Sequence, residues 1–336
     1  MRAPSSRPHP WRGRILTTVM LACALLPGAC TQRDVATRWP SGAVRLVVPF
    51  GTGASTDLAA RLIAPRLAER WGQPVVVDNR PGGDGMAGAQ AFITARDPNA
   101  LLFSPVGIVS TNPVLHTRMP FDPATDLVPV AGVVATGIGV AVPARAGVST
   151  LAAMATRVQS RRSPLLWSAT AGLPEVVARA LIASASLDER YVPYAELSSA
   201  VRDLGEGRLD MLVTALPTLA TARGAGRVHV LAVATAQRSP AAPDVPTLRE
   251  AGFPTLAVEG PQGLFGGRGL DTAQRRLIAL DVAHVMSEPA LVARLSKMGF
   301  AAAATSPEGF AAAIAAQRER VRAFLALAGG VERLRR

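Results

Sequence analysis

The residue types best suited to chemistry lie in a glycine-rich turn between an apolar run and a helix-like segment, VVPFGTGASTDLAARL at positions 47–62. Such a turn leaves backbone N–H groups without internal partners, and the positive end of the following helix dipole points the same way. A carboxylate or phosphate is stabilised at such a place. Ser55 and Thr56 add hydroxyl donors and are the expected helix N-cap. The loop predicts an anion site, and the alternative is a strand-to-helix turn that binds nothing.

Nucleotide binding is disfavoured at this loop. A Walker A sequence needs Gly-Lys-Ser/Thr, and the dinucleotide fingerprint needs a third glycine where this chain has Thr56. The histidines at positions 9, 116, 229 and 284 have no metal-ligand spacing to a second His, Cys or carboxylate, and no Gly-x-Ser-x-Gly or Ser-x-x-Lys motif is present. We therefore expect no metal, no cofactor and no enzyme activity. An exported, hydrolase-like α/β enzyme stays the alternative, because catalytic groups converge in space rather than in sequence.

The first 29 residues have the layout of a secretory signal peptide. Arginines at positions 2, 7, 12 and 14 precede an apolar run at 15–26, which is too short to span a bilayer and ends near the small residues Gly28 and Ala29. Cys30 then resembles the lipidated cysteine of a bacterial lipoprotein, although Pro27 stands where such sites usually carry Leu. The sequence predicts export to the periplasm with a lipid anchor on Cys30. Ordinary cleavage a few residues further on is the alternative.

Composition supports an exported chain with a large core and no disulfide. Of the two cysteines, Cys23 lies in the predicted signal peptide, so Cys30 has no partner with which to form a disulfide in the mature chain. With 336 residues, 49% of them hydrophobic, the chain can bury a sizeable core unaided and is long enough for two lobes. Removing the four arginines of the predicted signal peptide lowers the net charge from +12 to roughly +8. Aromatic residues make up only 4% and interleave with no basic run, which argues against nucleic-acid binding.

Strand-like and helix-like runs alternate along the mature chain, which predicts an α/β fold with mostly parallel sheets. Strands are expected at 44–48, 74–78, 100–103, 165–168, 209–213 and 228–235. Helices are expected at 56–70, 150–159, 174–184, 198–206, 271–287 and 306–327. Pro65 should kink or shorten the first helix near Arg61. Ser306 begins the last helix, and Thr247 with Glu250 fits a capping box.

Several segments carry a family resemblance in a fixed order. They are WPSGAVRLVVPFGTGASTD at 39–57, GQPVVVDNRPGGDGMAGA at 72–89, NPVLHTRMPFDPATDLVPV at 112–130, RSPAAPDVPTLREAGFP at 238–254 and SPEGFAAAI at 306–314. The chain resembles the Bug (TctC-type) family of extracytoplasmic solute receptors, the substrate-binding components of tripartite tricarboxylate transporters. The resemblance implies a two-lobe, type II periplasmic-binding-protein fold with a ligand cleft between the lobes. After the signal peptide (1–29) and a linker (30–39), residues 40–138 and 260–336 would form lobe 1, and residues 139–259 lobe 2.

The resemblance also implies a ligand class, partners and a set of site residues. Family ligands are mostly small carboxylates, the partners are the membrane subunits of the transporter, and we expect a monomer. Asp57 orders the loop or complements the helix dipole more readily than it contacts ligand. Loops at the cleft would supply the contacts, which gives as candidates Phe50, Gly51, Gly53, Ser55, Thr56, Asp57, Gly107, Ile108, Ser168, Thr170, Ala171, Gly172 and Thr214.

The chain departs from the family pattern in the loops that set specificity. Pro-Val-Gly at 105–107 stands where Thr-Asn-Gly is common, Leu173 and Pro174 replace a serine pair, and Thr214 replaces an acidic or polar residue. Fewer side-chain donors remain for a second carboxylate, so we expect a monocarboxylate or an aromatic acid rather than citrate. Glu175 complements the helix dipole or, alternatively, receives a cationic ligand group. A ligand-sensing subunit for a membrane kinase is the remaining alternative to transport.

Overall fold

Eleven strands and eleven α-helices make up the described part of the chain, residues 39–194 and 196–327 of the computed structural model; the predicted signal peptide and Cys30 lie outside these residues. The strands are β1 (Val44–Val48), β2 (Val75–Asn79), β3 (Ala100–Pro105), β4 (Val128–Thr136), β5 (Ile138–Pro143), β6 (Leu165–Ala169), β7 (Glu189–Tyr191), β8 (Met211–Ala215), β9 (Val228–Val233), β10 (Gly260–Gly266) and β11 (Phe300–Ala302). The helices are α1 (Ser55–Trp71), α2 (Met86–Ala95), α3 (Gly107–Ser110), α4 (Asn112–Leu115), α5 (Leu151–Ser160), α6 (Leu173–Ser184), α7 (Leu197–Gly205), α8 (Leu216–Gly224), α9 (Thr272–Met286), α10 (Pro289–Lys297) and α11 (Pro307–Leu327).

Two mixed sheets define two lobes. The first lobe contains the strand order β11-β4-β10-β3-β1-β2, and the second contains β7-β6-β8-β5-β9. The chain enters the second sheet after Gly137 and returns to the first at Gly260. Ile138, placed in lobe 1 from the sequence, is the first residue of β5 in the second sheet. The predicted domain limits stay a proposal, whereas the predicted two-lobe α/β fold is present.

Both faces of the first sheet are buried: successive side chains of a strand point to opposite faces, and each set packs into its own hydrophobic cluster. Leu46 of β1 belongs to the same hydrophobic cluster as Ile63 of α1 and Ile278 of α9. Its neighbour Val47 belongs to the cluster on the opposite face, with Phe92 of α2. The apolar run of β1 is therefore a central strand covered by helices on both sides.

The topology gathers helix starts at one place in each lobe. In the first lobe, β1 and β3 run parallel, and α1 and α3 begin directly after them. In the second lobe, β6 and β8 run parallel, and α6 and α8 follow them. The carboxyl ends of parallel strands in an open α/β sheet are the usual place of a ligand site.

The C-terminal helix α11 contacts both lobes. Phe310 and Ile314, in its first half, belong to a core cluster of the first lobe. Val321 and Phe324, in its second half, belong to the core of the second lobe. Gln317 lies between these two pairs and is itself buried. One continuous helix therefore connects the two cores.

The expectation of mostly parallel sheets is wrong. The pairs β10–β3, β10–β4, β11–β4, β5–β8 and β5–β9 are antiparallel. The reason is the crossing between lobes: β4 leads out of the first sheet and β10 returns to it, so these neighbours run in opposite directions. Strands β4, β5 and β10 were not predicted, and without them only parallel units were visible in the sequence.

The expected shortening of the first helix at Pro65 is also wrong, because α1 runs without interruption from Ser55 to Trp71. The alternative, a kink near Arg61, stays a prediction. Pro65 lies on the exposed side of the helix, where water can solvate the carbonyl that loses its N–H donor.

The predicted start of α11 is confirmed, since Ser306 Oγ accepts a 3.1 Å bond from Gly309 N. Thr247 and Glu250 do form the reciprocal bonds of a capping box, at 2.7 and 3.1 Å, but around a turn and not at a helix start.

A half-buried ion pair fixes the base of the second lobe beside β6 and β8. The two terminal guanidinium nitrogens of Arg161 donate to the Asp210 carboxylate, at 2.9 and 2.5 Å, and Leu166 N donates to it at 2.8 Å. Burial raises the pKa of Asp210, but the bonds from Arg161 and Leu166 outweigh it and hold that pKa below its ordinary value of 3.8. The ionised carboxylate therefore stabilises the fold above that value.

We expect Asp210→Asn to lower the free energy of unfolding at pH 7 by about 1 to 3 kcal/mol, because Arg161 loses its charged partner. Since the folded pKa is the lower one, this contribution is lost as the pH falls below about 4, and the two proteins should converge in acid. Urea unfolding at pH 7 and in acid measures the difference. Asp244→Asn, at an exposed carboxylate paired with Arg223, is the control and should lose less than about 1 kcal/mol. A loss for Asp210→Asn that is independent of pH would contradict the assignment.

Candidate functional site

A cleft lies between the two sheets, and its inner region has a volume of about 740 Å³, counted with its open mouth. Its inner region is lined by nine of the predicted residues: Phe50, Ser55, Thr56, Gly107, Ile108, Thr170, Ala171, Gly172 and Thr214. A wider outer region continues from it and is lined by three more, Gly51, Gly53 and Ser168. Of the predicted set, only Asp57 lines neither region. The cleft thus brings together residues that are far apart in the sequence.

The first wall of the cleft is the start of α1. Ala54, in an extended conformation, is the N-cap residue, and no side chain caps this helix. The expectation that Ser55 and Thr56 form the cap is wrong: both lie inside the helix, and the Ser55 hydroxyl accepts a 3.3 Å bond from Gln262 Nε2 instead. Within the described chain, the backbone N–H groups of Ser55 and Thr56 have no acceptor. They are therefore free to bind an anion in the cleft.

Asp57 holds this loop in place from behind. Gly53 N donates to its carboxylate at 2.9 Å, Asn79 Nδ2 at 3.0 Å and Arg61 Nε at 2.9 Å. Burial raises the pKa of Asp57, but the bonds from Arg61, Gly53 and Asn79 outweigh it and hold that pKa below its ordinary value. Asp57 is therefore an ionised group that orders the loop, in line with the simpler of the two roles predicted for it.

The second wall is the start of α6. Gly172, at φ 88°, is its N-cap residue, a backbone conformation that glycine adopts without strain. The N–H groups of Ala171, Gly172 and Leu173 have no acceptor among the described residues. Thr170 is held by a 3.1 Å bond from its N–H to Val213 O and by a 2.6 Å contact between its hydroxyl and that of Thr214. Two helix starts with free N–H groups therefore line the same cleft from different lobes.

Charge in the inner region is limited to one acidic residue. No Arg, Lys or His lines this region among the described residues, and Asp84 is the charged residue that does. Asp84 adopts φ 55° between Gly83 and Gly85, its carboxylate lies 2.9 Å from His116 Nε2, and its backbone carbonyl accepts a bond from Asn112. Two further charged residues, Arg227 and Glu196, line the outer region but not the inner one. An anion in the inner cleft therefore meets backbone dipoles and hydroxyls, with one carboxylate nearby.

Two buried glutamines at the cleft were missed from the sequence. Gln262 of β10 and Gln317 of α11 line the inner region and are 2% and 4% exposed. Thr136, which accepts a 2.6 Å bond from Gln262 Nε2, lines it too. A signal existed for Gln317: it shares a helical face with Ile314 and Val321, three residues before and four residues after it, so its burial could have been inferred.

Glu175, the candidate for receiving a cationic ligand group, lines neither region of the cleft. Its Oε1 accepts bonds of 3.0 and 2.9 Å from Arg179, whose guanidinium lies over the rings of Trp167 and Tyr191 at 5.1 and 5.5 Å.

Residues 39–194 and 196–327 contain no group of three or more His, Cys, Asp or Glu side chains that could hold a metal ion. In the same residues, no helix is both long and apolar enough to cross a membrane.

Two lobes around a cleft lined by helix starts are the architecture of a periplasmic binding protein, and solved structures agree. The chain is similar to a protein of R. palustris solved with adipate, with a TM-score of 0.81 and 29% identity over 87% of this chain and 98% of that one. It is also similar to MatC of Rhodopseudomonas palustris with bound malate, with a TM-score of 0.76 and 26% identity over 86% and 100%.

The family follows from the sequence comparison. The family described as tripartite tricarboxylate transporter family receptor, TctC, matches residues 59–329. A UPF0065 protein of Bordetella bronchiseptica is 30% identical over 315 residues, which cover 94% of this chain and 92% of the relative. This chain belongs to the TctC receptor family, as its motifs predict.

Gly53→Val tests whether the α1 loop belongs to the site. Gly53 adopts φ 84°, which is strained for a β-branched residue, so we expect the loop to move and the α1 N–H groups to lose their alignment. Affinity for any small carboxylate that the wild type binds should fall at least about tenfold in calorimetry, with an unchanged circular dichroism spectrum. Gly147→Val is the matched control, since Gly147 adopts φ 65° in open space outside the cleft. Equal affinities for wild type and Gly53→Val would remove this loop from the site.

Proposed function

We propose that the protein is an extracytoplasmic receptor that captures a small organic anion with one carboxylate group for a tripartite tricarboxylate-type transporter. The observation that carries this proposal is the pair of helix starts, α1 and α6, whose free N–H groups line one cleft from two lobes. The solved relatives with adipate and malate support a carboxylate as the ligand class.

Backbone N–H groups supply the binding free energy that a basic side chain would otherwise supply. A hydrogen bond to a charged group contributes about 1.5 to 3 kcal/mol, and the positive end of a helix dipole adds to it. When the lobes close, water leaves the cleft and each of these interactions strengthens in the lower dielectric. Ligand binding thereby favours the closed arrangement, which the membrane subunits of a transporter can recognise.

The inner region favours one carboxylate over two or three. Its apolar lining includes Phe50, Ile108, Ile138, Leu173 and Leu197, which offer no hydrogen bonds to a second charge. A buried carboxylate without donors carries a large desolvation cost. Asp84 adds repulsion, because it places a negative charge at the same cavity. A monocarboxylate with an apolar or weakly polar body fits these surroundings, and the protein releases it chemically unchanged.

The proposal that the protein is exported rests on the predicted signal peptide, residues 1–29. The protein is placed in the periplasm, where a receptor of this family meets its ligand, and Cys30 carries the lipid. We expect mass spectrometry of the native protein to find a mature N-terminus at Cys30 with the mass of a diacyl or triacyl modification. An intact chain from Met1 in cells would overturn export. A water-soluble, unmodified N-terminus near Cys30 would overturn lipidation alone.

Calorimetry with butanoate, benzoate and citrate tests the specificity. At least one monocarboxylate should bind about tenfold more tightly than citrate, a difference of about 1.4 kcal/mol. Prolonged incubation followed by chromatography should recover the bound acid unchanged. Tight citrate binding would contradict the one-carboxylate argument, and conversion of the ligand at enzyme-like rates would contradict the receptor itself.

Asp84→Asn serves as the variant that isolates the cause of this preference. Asn tolerates the φ of 55° at this position, so the turn is retained while the charge is removed. The affinity ratio of butanoate to succinate, two acids of equal carbon number, should fall at least about threefold. Asp244→Asn, the same change at an exposed site outside the cleft, should leave the ratio unaltered.

A further inference from the structure

Buried oxygens without hydrogen-bond partners are concentrated in the cleft. Within the described chain, Thr218 Oγ1, Gln262 Oε1 and Gln317 Oε1 are buried and unpartnered, and all three residues line the inner region. Gln90 Oε1 is the remaining buried oxygen of this kind, and it lies outside the cleft. The unpartnered buried nitrogens belong to Arg45, Arg275 and Arg318, none of which lines the cleft. The cavity therefore holds two carboxamide oxygens that can only accept a hydrogen bond and one hydroxyl that can donate or accept.

The carboxamide of Gln262 is oriented by its neighbours. Its Nε2 donates to Thr136 Oγ1 at 2.6 Å and to Ser55 Oγ at 3.3 Å, next to the start of α1. This leaves Oε1 as the atom without a partner. A residue that is 2% exposed cannot turn this oxygen to bulk solvent, so only water or ligand in the cleft can donate to it.

The backbone of Gln317 is held by its neighbours, because it lies where α11 passes between the lobes. Ile314 on one side packs into the core of the first lobe, and Val321 on the other packs into that of the second. The next residue, Arg318, donates a 3.0 Å bond to Val109 O of α3. The Gln317 side chain is 4% exposed, and its Oε1 has no partner in the described chain. Gln317 therefore lines the cavity with a side-chain oxygen that no described residue bonds.

A ligand that covers the two carboxamide oxygens has to donate hydrogen bonds to them. A buried acceptor left unpaired is destabilising, so a ligand without a donor binds less well than one that supplies it. A second carboxylate has no proton to give at neutral pH. An ammonium group would give up strong hydration for neutral acceptors, whereas a hydroxyl group is neutral and donates one hydrogen bond.

We propose that the ligand is a hydroxy monocarboxylate whose hydroxyl group donates to Gln317 Oε1, and that Gln317 is the residue that selects it. This inference rests on the proposed function, since the carboxylate of the same molecule is bound by the N–H groups of the helix starts. Gln262 Oε1 and Thr218 Oγ1 provide the polar surroundings of that hydroxyl. The C-terminal helix thereby takes part in ligand recognition as well as in connecting the lobes.

Two parent acids and their hydroxylated forms test the inference. The probes are butanoate and benzoate, each with its three monohydroxy isomers, measured by calorimetry on the wild type, Gln317→Met and Gln90→Met. We expect at least one hydroxy acid to bind tenfold or more tightly than its parent to the wild type. In Gln317→Met that gain should fall below threefold, while the parent acid keeps its affinity within threefold. Gln90→Met, which removes a buried unpartnered side-chain oxygen outside the cleft, should keep the full gain.

The outcomes separate the inference from the proposed function. Parent acids that bind as tightly as every hydroxy isomer, or a gain that survives in Gln317→Met, would overturn the inference and leave the receptor assignment standing. No binding by any of the eight monocarboxylates would overturn the proposed function itself. Methionine matches glutamine in length, so the variant should fold. If its circular dichroism spectrum nevertheless changes, Gln317→Glu replaces it: the added negative charge must then weaken binding of the hydroxy acid more than that of the parent.

Discussion

A carboxylate in the inner cleft meets no basic side chain among the described residues, so its charge has to be stabilised by backbone dipoles held in fixed positions. The N–H groups at the starts of α1 and α6 can do this only if the loops before them stay in place. Asp57 holds the first loop through Gly53, and Thr170 is bonded to Val213 and Thr214 in the second. Ordering of the loops, rather than a charged side chain, is therefore what binding depends on.

The fold provides these positions through its topology. β1 in the first sheet and β6 in the second each run parallel to their neighbours and are each followed by a helix that begins at the cleft. The antiparallel strands β4, β5 and β10, which connect the two sheets, bring Thr136, Ile138 and Gln262 to the same cavity. Helix α11 then contacts the cores of both lobes and adds Gln317. Gln317 therefore lies on a helix that packs into both lobes.

Local sequence signals predicted the strand β1, the glycine-rich loop and the start of α6, because each depends on neighbours within a few residues. Gln262 escaped prediction for the opposite reason: its bond to Ser55 joins residues 207 positions apart. The Ser55 hydroxyl was predicted to cap the helix, but it accepts a hydrogen bond from Gln262 instead. Strands β4, β5 and β10 escaped for a related reason, since their roles arise from the crossing between sheets and not from a local pattern.

The most direct test of backbone recognition is the amide proton spectrum of labelled protein titrated with the monocarboxylate that binds most tightly. Hydrogen bonds to a carboxylate move amide protons downfield. If backbone N–H groups bind the carboxylate, the largest downfield shifts occur at Ser55 and Thr56 on one wall and at Gly172 and Leu173 on the other, with saturation at the same ligand concentration. Large shifts confined to one of these helix starts, or centred on arginine side chains outside the inner cleft, would contradict it.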